Sequence, residues 1–105
     1  MLTGKQKRFL RALGHGLKPI ITIGKSEISE ALAKETSIAL DAHELVKIKL
    51  LESCIMDRHE AAALLADASK AEIAQILGRT FLLYRQAKEP KIQLPSEKPK
   101  KGSPR

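Results

Sequence analysis

The segment Pro19–Ile28 joins a strand pattern to a helix pattern through one glycine, and this junction restricts the chain to folds that combine strands with helices. Residues 19–23, Pro-Ile-Ile-Thr-Ile, form a β-branched run that favours an extended strand. Gly24 follows directly, and a helical pattern starts at Ile28. A strand that turns into a helix is the first half of a crossover unit, which predicts a partly parallel sheet.

The segment Leu45–Leu51 predicts a second strand. Its apolar and basic residues alternate as Val46, Lys47, Ile48, Lys49 and Leu50. Strict alternation predicts a strand with one apolar face and one polar face. We therefore expect the lysine face of the sheet to stay in contact with water, and helices to cover only the opposite face.

Helix caps and turn residues predict the rest of the fold. The helices are Gly4–Leu13, capped by Thr3 and ended by a left-handed Gly14 or Gly16; Ile28–His43, capped by Ser29 or Ser26; and Arg58–Ser69, capped by Asp57. The further strands are Glu72–Leu77 and Thr80–Arg85, joined by a tight hairpin at Gly78-Arg79. The order α-β-α-β-α-β-β predicts an α/β fold: a two-layer sandwich with a four-stranded mixed sheet, its last strand antiparallel, and an additional helix in front.

The helical repeat also predicts which side of each helix is buried. In the first helix it places Leu2, Phe9, Leu10 and Leu13 inward, and Lys5, Lys7, Arg8 and Arg11 outward. In the second helix the inward side ends at His43. In the third helix it comprises Ala61, Leu64, Leu65 and Ala68.

The net charge of +7 is concentrated near the two ends of the chain. Residues 1–26 contain six basic and no acidic residues, residues 27–85 seven basic and ten acidic, and residues 86–105 six basic and two acidic. This distribution is typical of a surface that binds a polyanion, although an ordinary solvated basic face has the same pattern. Because prolines interrupt residues 86–105, we expect a domain over 1–85 and a mostly disordered basic tail over 86–105.

Other sequence features argue for a soluble cytoplasmic protein. The single cysteine, Cys54, cannot form an internal disulfide, which favours a reducing compartment. No apolar stretch approaches the roughly 18 residues of a membrane span. The basic N-terminal segment lacks the layout of a signal peptide, so we expect no association with a membrane.

The sequence contains no pattern that predicts catalysis or a cofactor. Gly24-Lys25-Ser26 ends like a nucleotide-binding phosphate loop, but that motif requires glycine where this chain has Pro19. The three histidines lack the spacing of metal ligands. Cys54 has no histidine or helix start nearby that would activate its thiol. We therefore expect a protein that is not an enzyme, with neither a metal nor a cofactor.

A binding surface is the remaining hypothesis, and an RNA partner fits it best. A strand that turns through Gly24 into a helix start provides unpaired N–H groups for an anion, and Lys25 adds charge. Aromatic residues make up only 3% of the chain, so recognition of phosphate and RNA shape is favoured over stacking of bases on the sheet. The candidate RNA-binding residues are Lys5, Lys7, Arg8, Arg11, Lys18, Gly24, Lys25 and Ser26.

Several short motifs, in the same order and spacing, resemble the bacterial YhbY proteins, which are stand-alone CRM domains. The motifs are Leu2-Thr3-Gly4-Lys5-Gln6, Leu17-Lys18-Pro19-Ile20, Ile23-Gly24-Lys25, His43-Glu44-Leu45-Val46-Lys47 and Gly78-Arg79-Thr80-Phe81-Leu82-Leu83-Tyr84-Arg85. The resemblance covers about residues 1–95. It implies a fold similar to the C-terminal domain of translation initiation factor three, in which the fourth strand lies between the second and the third. It also implies binding to ribosomal RNA in precursors of the large ribosomal subunit.

The resemblance further implies a Gly-x-x-Gly loop that contacts RNA, with Gly24 as its first glycine and Lys25 and Ser26 as its middle positions. This chain has Glu27 where the family has the second glycine. The Glu27 carboxylate either occupies the anion site at the helix start or points away from it. The departure gives more weight to Lys5, Lys7, Arg8, Arg11 and Lys18.

We therefore expect a monomeric, non-enzymatic protein that binds large-subunit ribosomal RNA and assists ribosome assembly. The alternative is a basic adaptor module that docks an acidic protein partner with the same surface.

Overall fold

The computed structural model describes residues 2–25 and 28–95 and contains three helices and four strands within them. Their bounds, in chain order, are α1 Gly4–His15, β1 Ile21–Ile23, α2 Glu30–His43, β2 Leu45–Leu50, α3 Arg58–Ser69, β3 Glu72–Leu77 and β4 Thr80–Tyr84. The bounds of α3 and β3 match the prediction. The predicted bounds of the other elements differ from the observed ones by one or two residues at one end. Ser26, Glu27 and residues 96–105 of the predicted tail lie outside the described residues.

The strands form one mixed sheet in the order β1-β2-β4-β3, which confirms the order implied by the resemblance. Strand β1 runs parallel to β2, with Ile21 opposite Ile48. Strand β4 is antiparallel to both of its neighbours, with Phe81 opposite Ile48 of β2 and Ile76 of β3. The hairpin between β3 and β4 turns through Gly78, whose φ of 59° lies in the region that glycine adopts without strain. The predicted α/β fold is therefore confirmed.

One face of the sheet packs against α2 and α3 and forms the larger hydrophobic core. Buried side chains of alternate strand positions, among them Ile48 and Phe81, meet Leu40 of α2 and Leu65 of α3 there. The inward side predicted for α3 was partly wrong. Ala61 and Leu65 are buried as expected, but Leu64 is 46% exposed and Ala68 is also exposed, while Ala62, Ala66 and Ser69 are buried instead. His43, predicted to face inward, is exposed at the end of α2.

Helix α1 covers part of the opposite face, which we expected to remain in contact with water. A second cluster of buried residues lies there: Leu2, Leu10, Leu45, Ala74, Leu82 and Tyr84. Ile92 and Leu94 pack against the same cluster. The expectation was wrong because it considered only the alternation in β2. In β4, four consecutive residues from Phe81 to Tyr84 are buried, which requires cover on both faces of the sheet.

Helix α1 approaches the sheet closely because Gly14 has no side chain. A Cβ atom at Gly14 would lie only 2.8 Å from Cδ2 of Leu82. The helix continues through Gly14 to His15 and is capped by Gly16, whose φ of −90° is right-handed, so the predicted left-handed glycine cap is wrong. The contact is narrow, centred on Leu10 and Gly14, and it leaves Phe9 37% and Leu13 42% exposed, although both were predicted to be buried.

Glu44 attaches the segment after β4 to the domain. Its carboxylate is buried and accepts hydrogen bonds from the backbone N–H groups of Ala87 at 2.9 Å, Lys91 at 2.7 Å and Ile92 at 2.8 Å. Its backbone carbonyl also accepts the N–H of Arg85 at 3.0 Å. These bonds place residues 87–92 beside the end of α2, in a position from which Ile92 and Leu94 reach the second cluster.

Candidate nucleic-acid interface

The outward side of α1 presents the first group of basic residues. Thr3 fixes the start of the helix, since its side chain accepts the N–H of Gln6 at 3.1 Å and its own N–H donates to the Gln6 side chain at 3.1 Å. This reciprocal cap sets the start of the helix, and Leu10 then faces the sheet. The four predicted cations of the helix are all exposed: Lys5, Lys7, Arg8 and Arg11.

The two flanks of α1 differ in what they face. Gln6 donates from its side-chain amide to the carbonyl of Pro95 at 3.2 Å, so the C-terminal segment runs along that flank. Lys7 and Arg11 are one helical turn apart, and the helical repeat puts them on the other flank. They are therefore turned away from the C-terminal segment.

Lys18 and Lys25 lie at opposite ends of β1. Lys18 is exposed in the loop before the strand, and Lys25 is exposed in the turn after it. Six residues of nearly extended chain lie between them, so the two positions are roughly 20 Å apart. The predicted site residues thus occupy three places, namely α1, the loop before β1 and the turn after it.

Lys47 and Lys49 of β2 fill the space between Lys18 and Lys25. The backbone N–H of Ile20 donates to the carbonyl of Lys47 at 3.1 Å, and Lys49 lies between Thr22 of β1 and Thr80 of β4. Side chains alternate along β2, so both lysines are on the sheet face that α1 partly covers. Lys49 is exposed and Lys47 is half-buried. We call Lys18, Lys47, Lys49 and Lys25 the lysine strip.

Lys47 and Lys49 were not among the residues predicted for the site, although a signal for them was present. The alternation in Leu45–Leu51 identified a lysine face of the sheet. What the sequence lacked was the register that places this face beside Lys18 and Lys25. Helix α1, β1 and β2 together contain no acidic residue, so the cations of this surface are not neutralised from within these elements.

The turn after β1 differs from the predicted anion site. Gly24 is half-buried and does not have a positive φ; a Cβ there would meet Leu51 Cδ1 at 3.5 Å, an ordinary contact distance. Helix α2 begins at Glu30 rather than at Ile28. Ser29 is its cap and accepts the N–H of Leu32 at 3.1 Å, so one of the free N–H groups already has a partner. The helix start is therefore separated from Gly24, and the turn itself depends on Lys25 for positive charge.

The predicted contact at Ser26 and the orientation of Glu27 concern positions outside the described residues. Within residues 2–25 and 28–95, no group of three histidine, cysteine or acidic side chains is placed to hold a metal ion. In the same part of the chain, every helix is too short or too polar to cross a membrane. Cys54 is half-buried, with its Sγ 3.9 Å from the carbonyl oxygen of Met56.

Residues 2–85 match the family model described as the CRS1 / YhbY (CRM) domain. The chain belongs to the CRM domain family. The match covers all the helices and strands found in the described part of the chain and therefore confirms the resemblance found in the sequence.

Relatives of known name agree with this membership. The chain is 43% identical over 96 residues to "Probable RNA-binding protein YqeI" of Bacillus subtilis, an alignment that covers 90% of this chain and 100% of the relative. It is 35% identical over 94 residues to the "RNA-binding protein" of Haemophilus influenzae, covering 90% of this chain and 95% of that protein. Both names describe RNA-binding proteins rather than enzymes, in agreement with the expectation from the sequence.

A solved structure has the same fold. The solution structure of the Staphylococcus aureus protein SAV1595 superposes with a TM-score of 0.77 at 42% sequence identity, over 90% of this chain and 100% of that one. The three helices and the mixed four-stranded sheet of the described residues thus have the fold of that protein over its whole chain.

Proposed function

We propose that this CRM domain protein binds ribosomal RNA in precursors of the large ribosomal subunit and assists their assembly. The observation that carries the proposal is a basic surface formed by the outward side of α1 and the lysine strip, built largely on three elements, α1, β1 and β2, that contain no acidic residue. Family membership and the names of the relatives support RNA as the partner. In this proposal the protein acts as a cytoplasmic monomer. Residues 1–85 form the RNA-binding domain, and the basic segment 86–105 follows it, with residues 87–95 packed against the domain.

The surface suits the backbone of a structured RNA. Lysine and arginine side chains neutralise phosphates and release the counterions that surround them, so binding weakens as salt is raised. The lysine strip follows β1 and β2, while the cations of α1 stand beside it on the same face of the sheet. Such a two-sided arrangement contacts phosphates on both sides of a bound strand or groove and so favours RNA of a particular shape.

Sedimentation of the tagged protein through a sucrose gradient tests this proposal. We expect the protein to migrate with precursors of the large subunit at low salt, and to return to the top of the gradient after ribonuclease treatment. A variant with Lys25→Gln and Lys49→Gln should shift toward the top, because two cations of the lysine strip are lost. The matched control, Lys34→Gln with Lys88→Gln, removes the same charge from exposed positions outside this surface and should migrate like the wild type.

Two results would contradict the proposal. One is a protein that stays at the top of the gradient at low salt. The other is a protein that migrates with a partner resistant to ribonuclease, which would favour the alternative of an adaptor for an acidic protein.

A further inference from the structure

A groove lies beside the end of α1. It shares Lys18 and Lys47 with the lysine strip, and its other lining residues lie outside the basic surface described above. It has a volume of about 360 Å³ and lies between the end of α1, the loop that follows and the start of β2. Its apolar lining includes three large aliphatic side chains that remain exposed, Leu13 at 42%, Leu17 at 40% and Ile20 at 51%. Contiguous exposed apolar residues of this kind mark binding sites more often than ordinary surface does.

The rim of this groove is basic. Lys18 and Lys47 line it together with His43, and none of its lining residues is acidic. The groove therefore combines an apolar floor with positive charge at its edge. The complementary ligand has a flat apolar part that can leave water, connected to negative charges that stay at the rim.

We propose that the groove binds an unpaired nucleobase of the RNA, while the neighbouring phosphates lie against Lys18 and Lys47. Every nucleotide joins a flat group with largely apolar faces to a charged phosphate, whereas an acidic peptide does so only where an aromatic residue lies beside its carboxylates. Ligand sites of this type are largely apolar, with a few polar groups that fix orientation. The inference rests on the proposed RNA binding, because it specifies what part of the RNA the same surface selects.

A base held in a duplex cannot enter the groove, since its faces are stacked and its edge is paired. The protein should therefore prefer RNA that has a bulge or a loop, where bases are free to be turned outward. The cations of α1 and the lysine strip contact phosphates in either case. The groove thus supplies selectivity and the basic surface supplies general affinity.

Two RNA duplexes without terminal loops test the inference, one fully paired and one with a single bulged adenine replaced by fluorescent 2-aminopurine. Their lengths and charges differ only by this nucleotide. We expect the wild type to bind the bulged RNA about tenfold more tightly, in line with the apolar area that one base can bury against the aliphatic side chains of the groove. Its binding should also change the emission of 2-aminopurine. In the variant Leu17→Ser with Ile20→Thr, affinity for the bulged RNA should fall about tenfold to that for the paired RNA, with the dependence on salt unchanged.

The matched control is Ile38→Thr with Ile55→Ser, which alters two exposed aliphatic residues that do not line the groove. It should keep the preference for the bulged RNA. Equal binding of both RNAs by the wild type, or unchanged emission of 2-aminopurine at saturation, overturns the inference but leaves RNA binding intact. Both measurements are made on the wild-type protein, so they test the inference even if the groove variant fails to fold. Absence of binding to either RNA overturns the proposed function as well.

Discussion

Glu44 is held in a conformation and an environment that a glutamate ordinarily avoids. Its φ is 65° and its side chain is only 1% exposed. Burial raises the pKa of the carboxyl, but hydrogen bonds from the N–H groups of Ala87, Ile92 and Lys91, with the charge of Lys91, more than offset this effect and lower the pKa below 4.5. The residue is thus an internal anion that organises the backbone of the segment around it.

We predict that Glu44→Gln lowers the free energy of unfolding by about 2 kcal/mol near pH 7, because an amide forms weaker bonds to the three N–H groups and brings donors of its own. A carboxyl whose pKa is lowered by folding stabilises the protein fully at a pH above its unfolded pKa of 4.5. This stabilisation is lost as the pH falls through the lower pKa of the folded state. The difference in unfolding free energy between wild type and variant should therefore shrink as the pH falls below 4.5. Urea unfolding at several pH values measures it, and a constant difference down to strongly acidic pH would argue against an ionised Glu44.

Gly14 is the second residue whose effect on stability depends on a neighbouring side chain, that of Leu82. We predict that Gly14→Ala destabilises the protein by about 1–3 kcal/mol, although alanine favours a helix, because the new Cβ would press on Leu82. Gly16→Ala is the control, since a Cβ there meets nothing within 4 Å. Thermal unfolding compares the two. In the background Leu82→Ala the cost of Gly14→Ala should largely vanish; equal costs in both backgrounds would exclude this contact as the cause.

At the scale of elements, the sequence predicted which segments form helices and strands better than it predicted how they pack. Caps such as Thr3 and Asp57 and the alternation in β2 are local signals, and they were read correctly. Which face of the sheet α1 covers depends on contacts between distant residues, such as Gly14 with Leu82. The local signal for cover on both faces is the uninterrupted apolar run Phe81–Tyr84 of β4.

The sequence predicted that the candidate site is basic, but it did not predict how the basic residues are arranged on the surface. A segment without acidic residues identified the cations of α1, since the helical repeat alone puts them outward. The lysine strip depends on the register between β1 and β2, which places Lys49 opposite Thr22. Register is a property of the folded sheet, and one sequence without its partner strand does not specify it.

The cations of helix α1 should contribute directly to RNA binding. Replacing Lys7 and Arg11 by glutamine should weaken RNA binding and reduce the slope of log affinity against log salt by about 1–2, the equivalent of one or two phosphate contacts. Filter binding at roughly 50–200 mM salt measures the slope. Lys34→Gln with Lys88→Gln should leave it unchanged. If both pairs of substitutions lower the slope equally, net charge rather than the position of α1 determines binding.

At the scale of the whole molecule, the segment after β4 is part of the folded domain as far as residue 95. Its backbone N–H groups donate hydrogen bonds to the Glu44 carboxylate, and its Ile92 and Leu94 extend the second cluster. The carbonyl of Pro95 accepts a hydrogen bond from the Gln6 side chain. The chain thus returns across the sheet to the helix with which it began. The stability of the domain therefore depends on residues beyond the last strand.

Two shortened chains test this dependence. A chain that ends at Pro95 should unfold at the same temperature as the full chain, because every contact of the segment is kept. A chain that ends at Gln86 should lose about 3 kcal/mol or more, because three hydrogen bonds to the Glu44 carboxylate and the apolar contacts of Ile92 and Leu94 are lost. Differential scanning calorimetry of both chains measures the effect. Equal melting temperatures for the two would show that the segment adds nothing to the fold.

Strand β1 has three residues and pairs with β2 alone, at the edge of the sheet. Few hydrogen bonds hold it, so its backbone amides should exchange with deuterated solvent through local opening, well before those of β4, which has a partner on each side. Lys18 and Lys25 flank this strand. An RNA that contacts both would restrain the strand at its two ends, and exchange at Ile21–Ile23 would slow while exchange in β4 stays constant. The least protected strand of the sheet would then report, from its own amide exchange, when RNA occupies the lysine strip.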